Sequence, residues 1–295
     1  MSNICIIGHI SIDKIYNNKI KAESIGGPPC YSGLTCVNEG LDVEIYTKIG
    51  SDFPAEYELW LKENRIKMLD GKSTLNTTSF KITETEKRKQ LKLINKCEEI
   101  IIEKEKIEKY EGIILSPIVN ELNKKNNKLI NKLDKKTLLD PQGYLRKFNE
   151  DGVCELRYLD INELPKADII KISEEESKMI DNSDKFSSRL EKISKIYPIT
   201  IGTTNNELTY LFTNKKCYEI RNHRANNLED TIGLGDILNG VFFSMYVKNE
   251  DILWSISKAI AFTTTREGIG IRKLEKFVEY SELSGIIYNN IKKIY

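Results

Sequence analysis

Short apolar runs alternate with longer amphipathic stretches along most of this 295-residue chain. Asn3–Gly8 and Ile169–Ile172 have the length and content of buried strands, and Asp236–Val247 and Ile252–Thr265 are the longest apolar helical patterns. Strands that alternate with helices are typical of βαβ units, whose largely parallel sheet is covered by helices. The sequence therefore predicts one α/β domain over residues 1–295.

Two polar segments, approximately residues 14–24 and 73–95, depart from this rhythm because Thr and Lys alternate with apolar residues. They predict exposed antiparallel strands with one apolar face, which could form a lid over a pocket. Arg88 in the second segment is a candidate phosphate contact, although a surface charge is the simpler interpretation. The charged stretches Glu98–Glu111 and Asn120–Lys136 are interpreted as solvated helix faces.

The charge balance limits the class of partner. Lys and Arg total 45 against 44 Asp and Glu, and this net charge of +1 argues against a nucleic-acid binder. Backbone N–H groups at a helix N-terminus still bind anions without net basicity. No apolar run approaches the roughly 20 residues of a membrane span, so we expect a cytoplasmic protein. Scattered cysteines and two histidines predict no zinc site.

The segment Glu229–Gly240, EDTIGLGDILNG, carries the strongest chemical signal. Its glycines flank Leu234, and Asp236 opens an apolar helical pattern, so the N–H groups of Gly233, Leu234, Gly235 and Asp236 should converge at a helix N-terminus. Such a convergence binds anions. A carboxylate there would repel a phosphate unless a proton or hydroxyl lay between them. Asp236 is therefore predicted to act as a general base in phosphoryl transfer.

This segment has other interpretations. An aspartate that only caps a helix would give the same spacing. A dinucleotide-binding loop would need the third glycine of G-x-G-x-x-G and an acidic partner about 20 residues later, and neither is present. The chain also lacks the G-x-x-x-x-G-K-[ST] pattern of P-loop NTPases.

DTIGLGD resembles the D-T-x-G-A-G-D signature of the ribokinase-like (PfkB) sugar kinase family. GHISID resembles the family's G-x-x-x-x-D, which implies that Asp13 binds a substrate hydroxyl. IGGPPCYSGL resembles the Gly-Gly substrate turn, where the missing side chains of Gly26 and Gly27 would let the backbone approach a ligand. LDPQGYLR resembles a stretch of some archaeal and inositol-type members, which implies substrate contacts by Gln142 and Arg146.

Three later motifs fall in the same order as in the family. KISEEE stands at the N-x-x-E position, TIG at T-x-G, and AFTTTREGIG resembles the segment that lines the adenine pocket. The resemblance implies that ATP and Mg²⁺ are used and that Glu176 contacts the metal through water. It also implies that Gly202, Thr203 and Thr263 lie near the nucleotide.

The resemblance implies a three-layer α/β/α fold with a central, mostly parallel sheet and a small β-sheet lid. It implies an ATP-dependent kinase acting on a hydroxyl of a sugar or polyol such as myo-inositol, with Asp236 as base. A nucleoside kinase of the same fold and a non-catalytic sensor of nucleotide or sugar remain alternatives. A lid strand could also pair two copies into a homodimer.

The sequence departs from the family pattern at four positions. Ser173 stands where N-x-x-E has Asn, Leu234 where the signature has a small residue, and Asn205 where a second glycine is usual. Tyr31 stands where ribokinases have an Asn that contacts the sugar, which argues against ribose as the substrate. Lys171 is interpreted as an ordinary loop charge.

Overall fold

The structure is a computed structural model that describes residues 2–17, 21–69, 71–84, 89–205, 208–222, 230–276 and 278–295. Within these ranges, no helix is both long enough and apolar enough to cross a bilayer.

The strands in chain order are β1 (Asn3–Ile7), β2 (Ser11–Asn17), β3 (Lys21–Gly26), β4 (Asp42–Tyr46), β5 (Ile66–Leu69), β6 (Ser79–Glu84), β7 (Lys89–Asn95), β8 (Gly112–Leu115), β9 (Lys136–Leu139), β10 (Arg146–Phe148), β11 (Cys154–Leu156), β12 (Ile169–Ser173), β13 (Ile199–Thr203), β14 (Leu208–Thr213), β15 (Lys216–Arg221) and β16 (Lys292–Lys293).

The helices are α1 (Pro28–Asn38), α2 (Ala55–Glu63), α3 (Lys104–Ile107), α4 (Lys124–Ile130), α5 (Gln142–Leu145), α6 (Glu174–Ser177), α7 (Phe186–Ser194), α8 (Leu234–Val247), α9 (Ile252–Thr264) and α10 (Ser281–Asn289). Two 3₁₀ segments lie at Ile161–Glu163 and Gly270–Leu274.

The main sheet has the order β16-β15-β14-β13-β12-β9-β8-β1-β4-β5. Its pairs from β5 to β13 are parallel, and β14 to β16 extend it with antiparallel pairs. Side chains of β1 alternate between two cores: Ile4 and Ile6 pack into one, Cys5 and Ile7 into the other. A strand buried on both faces explains the continuous apolar run.

The lid, defined here as the four-stranded sheet β3-β2-β6-β7, contains both segments predicted to lie outside the main sheet. Strands β2 and β3 pair antiparallel, as do β6 and β7, whereas β2 and β6 are parallel. Ile15, Phe80 and Ile82 are buried on its inner face. The expectation of antiparallel strands thus holds within the pairs β2–β3 and β6–β7, but not between β2 and β6, which are parallel.

Helix α1 begins within the GGPP motif, at Pro28. Pro28 and Pro29 form its first turn, where the missing proline N–H groups have no intrahelical acceptor to lose. Gly27 precedes them with a φ of 85°, and a Cβ there would lie 2.4 Å from the His9 carbonyl oxygen. The glycine is therefore required by both backbone angle and space.

The interpretation of Asn120–Lys136 as a solvated face was wrong at Glu121. Its carboxylate is fully buried and accepts hydrogen bonds from the N–H groups of His9 (2.8 Å), Ile118 (2.9 Å) and Val119 (2.8 Å). These groups follow β1 and β8, so Glu121 joins the two loops at the carboxyl end of the sheet. Glu98–Glu111 also contains buried residues, among them Ile100 and Ile102.

Replacing Glu121 with Ala should lower the free energy of unfolding by about 3 kcal/mol or more, since three buried N–H groups would lose their acceptor. Urea denaturation measures this change. The control is Glu111→Ala, because Glu111 is exposed and should change stability by less than about 0.5 kcal/mol. Equal stabilities of the two variants would contradict the assignment.

Candidate active site

A cavity of about 560 Å³ lies between the lid and the carboxyl ends of β9, β12 and β13. Clefts at this end of parallel strands are where open α/β sheets bind ligands. The predicted site residues that line the cavity are Asp13, Gly27, Gln142, Arg146, Glu176, Thr203, Gly233 and Asp236. Those that do not line it are Gly26, Gly202, Leu234, Gly235 and Thr263.

Gly233 is the N-cap of α8 and has a φ of 75°. A Cβ there would lie 2.6 Å from the ring of Tyr31, so the position also requires glycine for space. The helix begins at Leu234, two residues before the predicted start, and Asp236 lies in its first turn. The first N–H groups of a helix have no intrahelical acceptor, and the helix dipole is positive there. This arrangement can hold an anion beside the Asp236 carboxylate.

The Asp236 carboxylate is buried, and its Oδ1 accepts a hydrogen bond from Gln142 Nε2 at 3.2 Å. Burial and the neighbouring Asp140 raise the pKa of Asp236 from 3.8 to about 7, against the opposing charges of Lys171 and Arg146. A carboxyl group with a pKa near 7 is matched to proton transfer at neutral pH. Asp236 therefore has the burial, the position and the pKa of a general base.

Lys171 is buried, so its interpretation as a loop charge was wrong. Its ammonium lies 3.4 Å from Asp140 Oδ2, which also accepts a hydrogen bond from Asn239 Nδ2 at 2.9 Å. A Cβ on Gly235 would lie 2.8 Å from Lys171 Nζ, so glycine leaves room for the ammonium. Burial lowers the pKa of Lys171, but the charges of Asp140, Glu176 and Asp236 outweigh burial and raise it overall. The sequence signal was a lysine inside the apolar strand IIKIS.

Asp13 and Tyr31 line the cavity, and each has a buried polar atom without a protein partner. Asp13 Oδ1 and the Tyr31 hydroxyl are both buried and make no hydrogen bond. Burial raises the pKa of Asp13 to about 6, and a hydrogen bond from Ser11 opposes the shift. A Cβ on Gly26 would lie 2.0 Å from Asp13 Oδ2, so Gly26 makes room for this carboxylate. Buried polar atoms without partners are costly, which suits atoms that a ligand satisfies.

Gln142 and Arg146 form a chain of hydrogen bonds that ends at Asp236. Arg146 Nη2 donates to Gln142 Oε1 at 2.6 Å, and its Nη1 is 3.4 Å from the Ile118 carbonyl oxygen. Arg146 therefore orients the Gln142 amide, whose Nε2 contacts Asp236 and, at 3.3 Å, Ser116 Oγ. Arg146 also adds a positive charge to the cavity wall.

At the other end of the cavity, Ser173 and Glu176 form a capping box at the start of α6. Glu176 Oε2 accepts hydrogen bonds from Ser173 N at 2.9 Å and Ser173 Oγ at 2.7 Å. Serine is a favoured N-cap, so the departure from Asn is accommodated locally. Glu174 and Glu175 also line the cavity.

Glu176 is a carboxylate in the cavity wall that could contact Mg²⁺. The described residues contain no group of three or more His, Cys, Asp or Glu arranged to hold a metal. Mg²⁺ commonly needs only one or two carboxylates, with water and substrate phosphates completing its shell. Glu176 is the residue that would hold it.

Two predicted nucleotide contacts, Gly202 and Thr263, lie outside the cavity wall. A Cβ on Gly202 would lie 2.3 Å from Leu190 Cδ1, so this glycine faces α7 and serves packing. Thr263 Oγ1 donates to the Ala259 carbonyl oxygen at 2.7 Å within α9. Neither lines the cavity, whereas Asn205 does. Arg88 and Glu229 lie outside the described residues.

The lid contacts the loop before α8 through Thr231. Glu84 of β6 accepts hydrogen bonds from the Thr231 hydroxyl (2.6 Å) and N–H (3.3 Å), and Lys89 Nζ of β7 is 3.2 Å from the same hydroxyl. Lys89 also lines the cavity. The lid and the loop at the start of α8 are thus joined directly.

Solved structures resemble this fold over nearly its whole length. A pyrophosphate-dependent kinase in the ribokinase family, in a sulfate complex, has 19% identity and a TM-score of 0.80, covering 93% of this chain and 100% of that one. A pyrophosphate-dependent kinase of that family, complexed with a pyrophosphate analog and myo-inositol, has 20% identity, a TM-score of 0.76 and coverages of 92% and 99%. Ribokinase from Thermotoga maritima has 13% identity, a TM-score of 0.71 and coverages of 98% and 100%.

At these identities the likeness establishes the fold alone. The predicted ribokinase-like α/β fold, with a mostly parallel sheet and a smaller second sheet, is confirmed. A scan of protein-family models found no match to the sequence, and a search of curated proteins found no significant one.

Asp236→Asn should stabilise the protein more at pH 8 than at pH 5. Because the native pKa is raised from 3.8 to about 7, the folded state keeps a proton that the unfolded chain releases. The contribution of Asp236 to the free energy of unfolding therefore falls as pH rises from about 4 to 7, and Asn removes that dependence. Urea denaturation at both pH values measures it. Asp251→Asn, at the exposed N-cap of α9, is the control. An equal effect of Asp236→Asn at both pH values would contradict the raised pKa.

Proposed function

We propose that this chain is a kinase that transfers a phosphoryl group to a hydroxyl of a small sugar or polyol, with Asp236 as general base. One observation carries the proposal: a buried carboxylate with a pKa near 7 lies at a helix N-terminus, in the same cavity as two buried polar atoms without partners. The ribokinase-like fold of the compared sugar kinases supports it.

The acceptor would bind at Asp13 and Tyr31. Asp13 Oδ1 can accept a hydrogen bond from one substrate hydroxyl, and the Tyr31 hydroxyl can donate to another. A polyol such as myo-inositol has hydroxyl groups on adjacent carbons, one of which can donate to Asp13 while the other accepts from Tyr31. A compared kinase that was solved with myo-inositol supports this acceptor class. A nucleoside remains an alternative, for which the ring of Phe80 in the cavity wall could stack on a base.

Transfer would follow an in-line displacement. The acceptor oxygen forms a bond to phosphorus while the bond from phosphorus to the leaving oxygen breaks. Asp236 takes the acceptor's hydroxyl proton and later releases it to solvent. The N–H groups at the start of α8 stabilise the charge on the transferring group, and Gln142 keeps the Asp236 carboxylate in position. Bound Mg²⁺ would neutralise donor phosphate charge.

The donor is proposed to be ATP, because KISEEE, TIG and AFTTTREGIG resemble the nucleotide-binding motifs of the family. Pyrophosphate is the second candidate, which two compared pyrophosphate-dependent kinases support. The cavity wall carries Lys89, Arg146 and Lys178, whose positive charges suit the phosphates of either donor. The predicted nucleotide contacts Gly202 and Thr263 are not part of this wall.

A sensor without turnover is disfavoured because binding alone does not need a base. Pairing of two copies through the lid, whose β3 is an edge strand, stays a prediction.

Asp236→Asn should lower kcat by about 10²–10⁴, the usual loss when a general base is removed, with donor affinity little changed. The assay follows phosphorylated product from ATP or pyrophosphate with Mg²⁺ across sugars, inositols and nucleosides. Asp251→Asn should keep normal turnover because Asn also caps helices well. Near-normal turnover by Asp236→Asn would refute the assignment, and donor binding without turnover in the wild type would favour the sensor.

Tyr31→Phe should raise the KM for the acceptor about tenfold, because one hydrogen bond to the substrate is lost. The KM for the donor should stay the same. Tyr110→Phe is the matched control, since its hydroxyl contacts Glu44 and it does not line the cavity. Equal acceptor KM values for the two variants would remove Tyr31 from the acceptor site.

A further inference from the structure

Lys273 is a lysine buried beneath the anion loop, defined as residues 230–233. It lies in the 3₁₀ segment Gly270–Leu274 and is 1% exposed. Its ammonium donates to the Ile232 carbonyl oxygen at 2.7 Å, contacts the Asp230 carbonyl oxygen at 3.4 Å and pairs closely with Asp230 Oδ1. These three oxygen contacts match the three hydrogens of the ammonium.

Asp230 completes the connection between the two segments. Its Oδ1 also accepts a hydrogen bond from Ile232 N at 2.8 Å, and its Oδ2 accepts one from Gly270 N at 2.7 Å. Ile271 N donates to Ser24 Oγ of lid strand β3 at 3.1 Å. The ion pair therefore lies where the anion loop, the 3₁₀ segment and the lid meet.

The geometry of a peptide group connects Lys273 to the site. In a planar trans peptide the C=O of one residue and the N–H of the next point in opposite directions. When Lys273 holds the Ile232 carbonyl oxygen, it therefore directs the Gly233 N–H away from itself. Lys273 also contacts the Asp230 carbonyl oxygen, so it directs the Thr231 N–H away from itself. That N–H donates to Glu84 of the lid.

We infer that Lys273 is a positioning residue for phosphoryl transfer: its ammonium is a built-in cation that fixes the peptide orientations of the anion loop. This inference rests on the proposed function. The loop has little regular structure of its own, and Gly233 has no Cβ to restrict its backbone. An ion that binds two carbonyl oxygens and a carboxylate supplies the restriction. An unpaired buried charge is strongly unfavourable, so each member of the Asp230–Lys273 pair requires the other.

The test compares four variants. Lys273→Ala leaves a space in which a small cation can bind the same oxygens, whereas Lys273→Met fills that space with an uncharged chain. Asp230→Asn combined with Lys273→Met removes both charges and leaves no unpaired ion. Lys136→Ala is the matched control, because Lys136 Nζ binds the carbonyl oxygens of Tyr246 (3.2 Å) and Val247 (3.0 Å) at the other end of α8.

For each variant, kcat, both KM values, melting temperature and pyrophosphate affinity by calorimetry are measured with and without ammonium, methylammonium or potassium chloride. Lys273→Ala should lose kcat about 10²-fold, comparable to the loss of a transition-state donor, while its acceptor KM stays within about threefold. Added cation should restore kcat, melting temperature and pyrophosphate affinity in Lys273→Ala but not in Lys273→Met. The double variant should be stable yet slow, and Lys136→Ala should keep wild-type kcat.

Wild-type kcat and pyrophosphate affinity in any folded Lys273 variant would overturn the inference. So would a loss in Lys273→Ala that no cation reduces. If Lys273→Ala does not fold, the double variant Asp230→Asn with Lys273→Met tests the inference. Normal turnover by the double variant would mean that the Asp230–Lys273 pair serves stability alone. Absence of transfer by the wild type would refute the proposed function, and the pyrophosphate affinities would still decide the role of Lys273.

Discussion

The site depends on keeping a carboxylate buried next to other charges. Asp236 lies in a cavity where an ionised carboxyl group is poorly solvated, and Asp140 adds a second negative charge. Lys171, Arg146 and the hydrogen bond from Gln142 offset that cost without cancelling it, so the pKa of Asp236 is about 7. More positive charge nearby would lower the pKa of Asp236 and make it a weak base. Less positive charge would raise the pKa and leave the carboxyl group protonated. The elements around the cavity position these charges.

The glycines around the cavity make room for protein side chains. The sequence led us to expect that Gly26 let the backbone approach a substrate, but its missing Cβ accommodates the Asp13 carboxylate. Gly235 makes room for the Lys171 ammonium and Gly233 for the Tyr31 ring. The glycines thus allow polar groups to converge more closely than side chains with a Cβ would permit.

Sequence reasoning located residues whose role is local. The turn before α8, with Asp236 in the first helical turn, follows from the spacing of glycine, acid and apolar pattern within a few residues. It failed for Glu121 and Lys171, because each is charged, and charged residues are rarely buried unless distant partners satisfy them. The partners His9 of Glu121 and Asp140 of Lys171 lie in loops that are distant in the chain, and no local pattern reveals them.

The sequence by itself determined the α/β class, the two segments of the lid and the glycine turn before α8, since hydrophobic period and turn chemistry act over a few residues. Only the tertiary structure decided which glycines face the cavity: it turned Gly202 toward α7 and left Gly27 and Gly233 in the wall. It also brought Lys273 to the loop at Asp230. The reason is physical: the direction in which a residue faces, and the partner that neutralises a buried charge, are set by packing between elements that are remote in the chain.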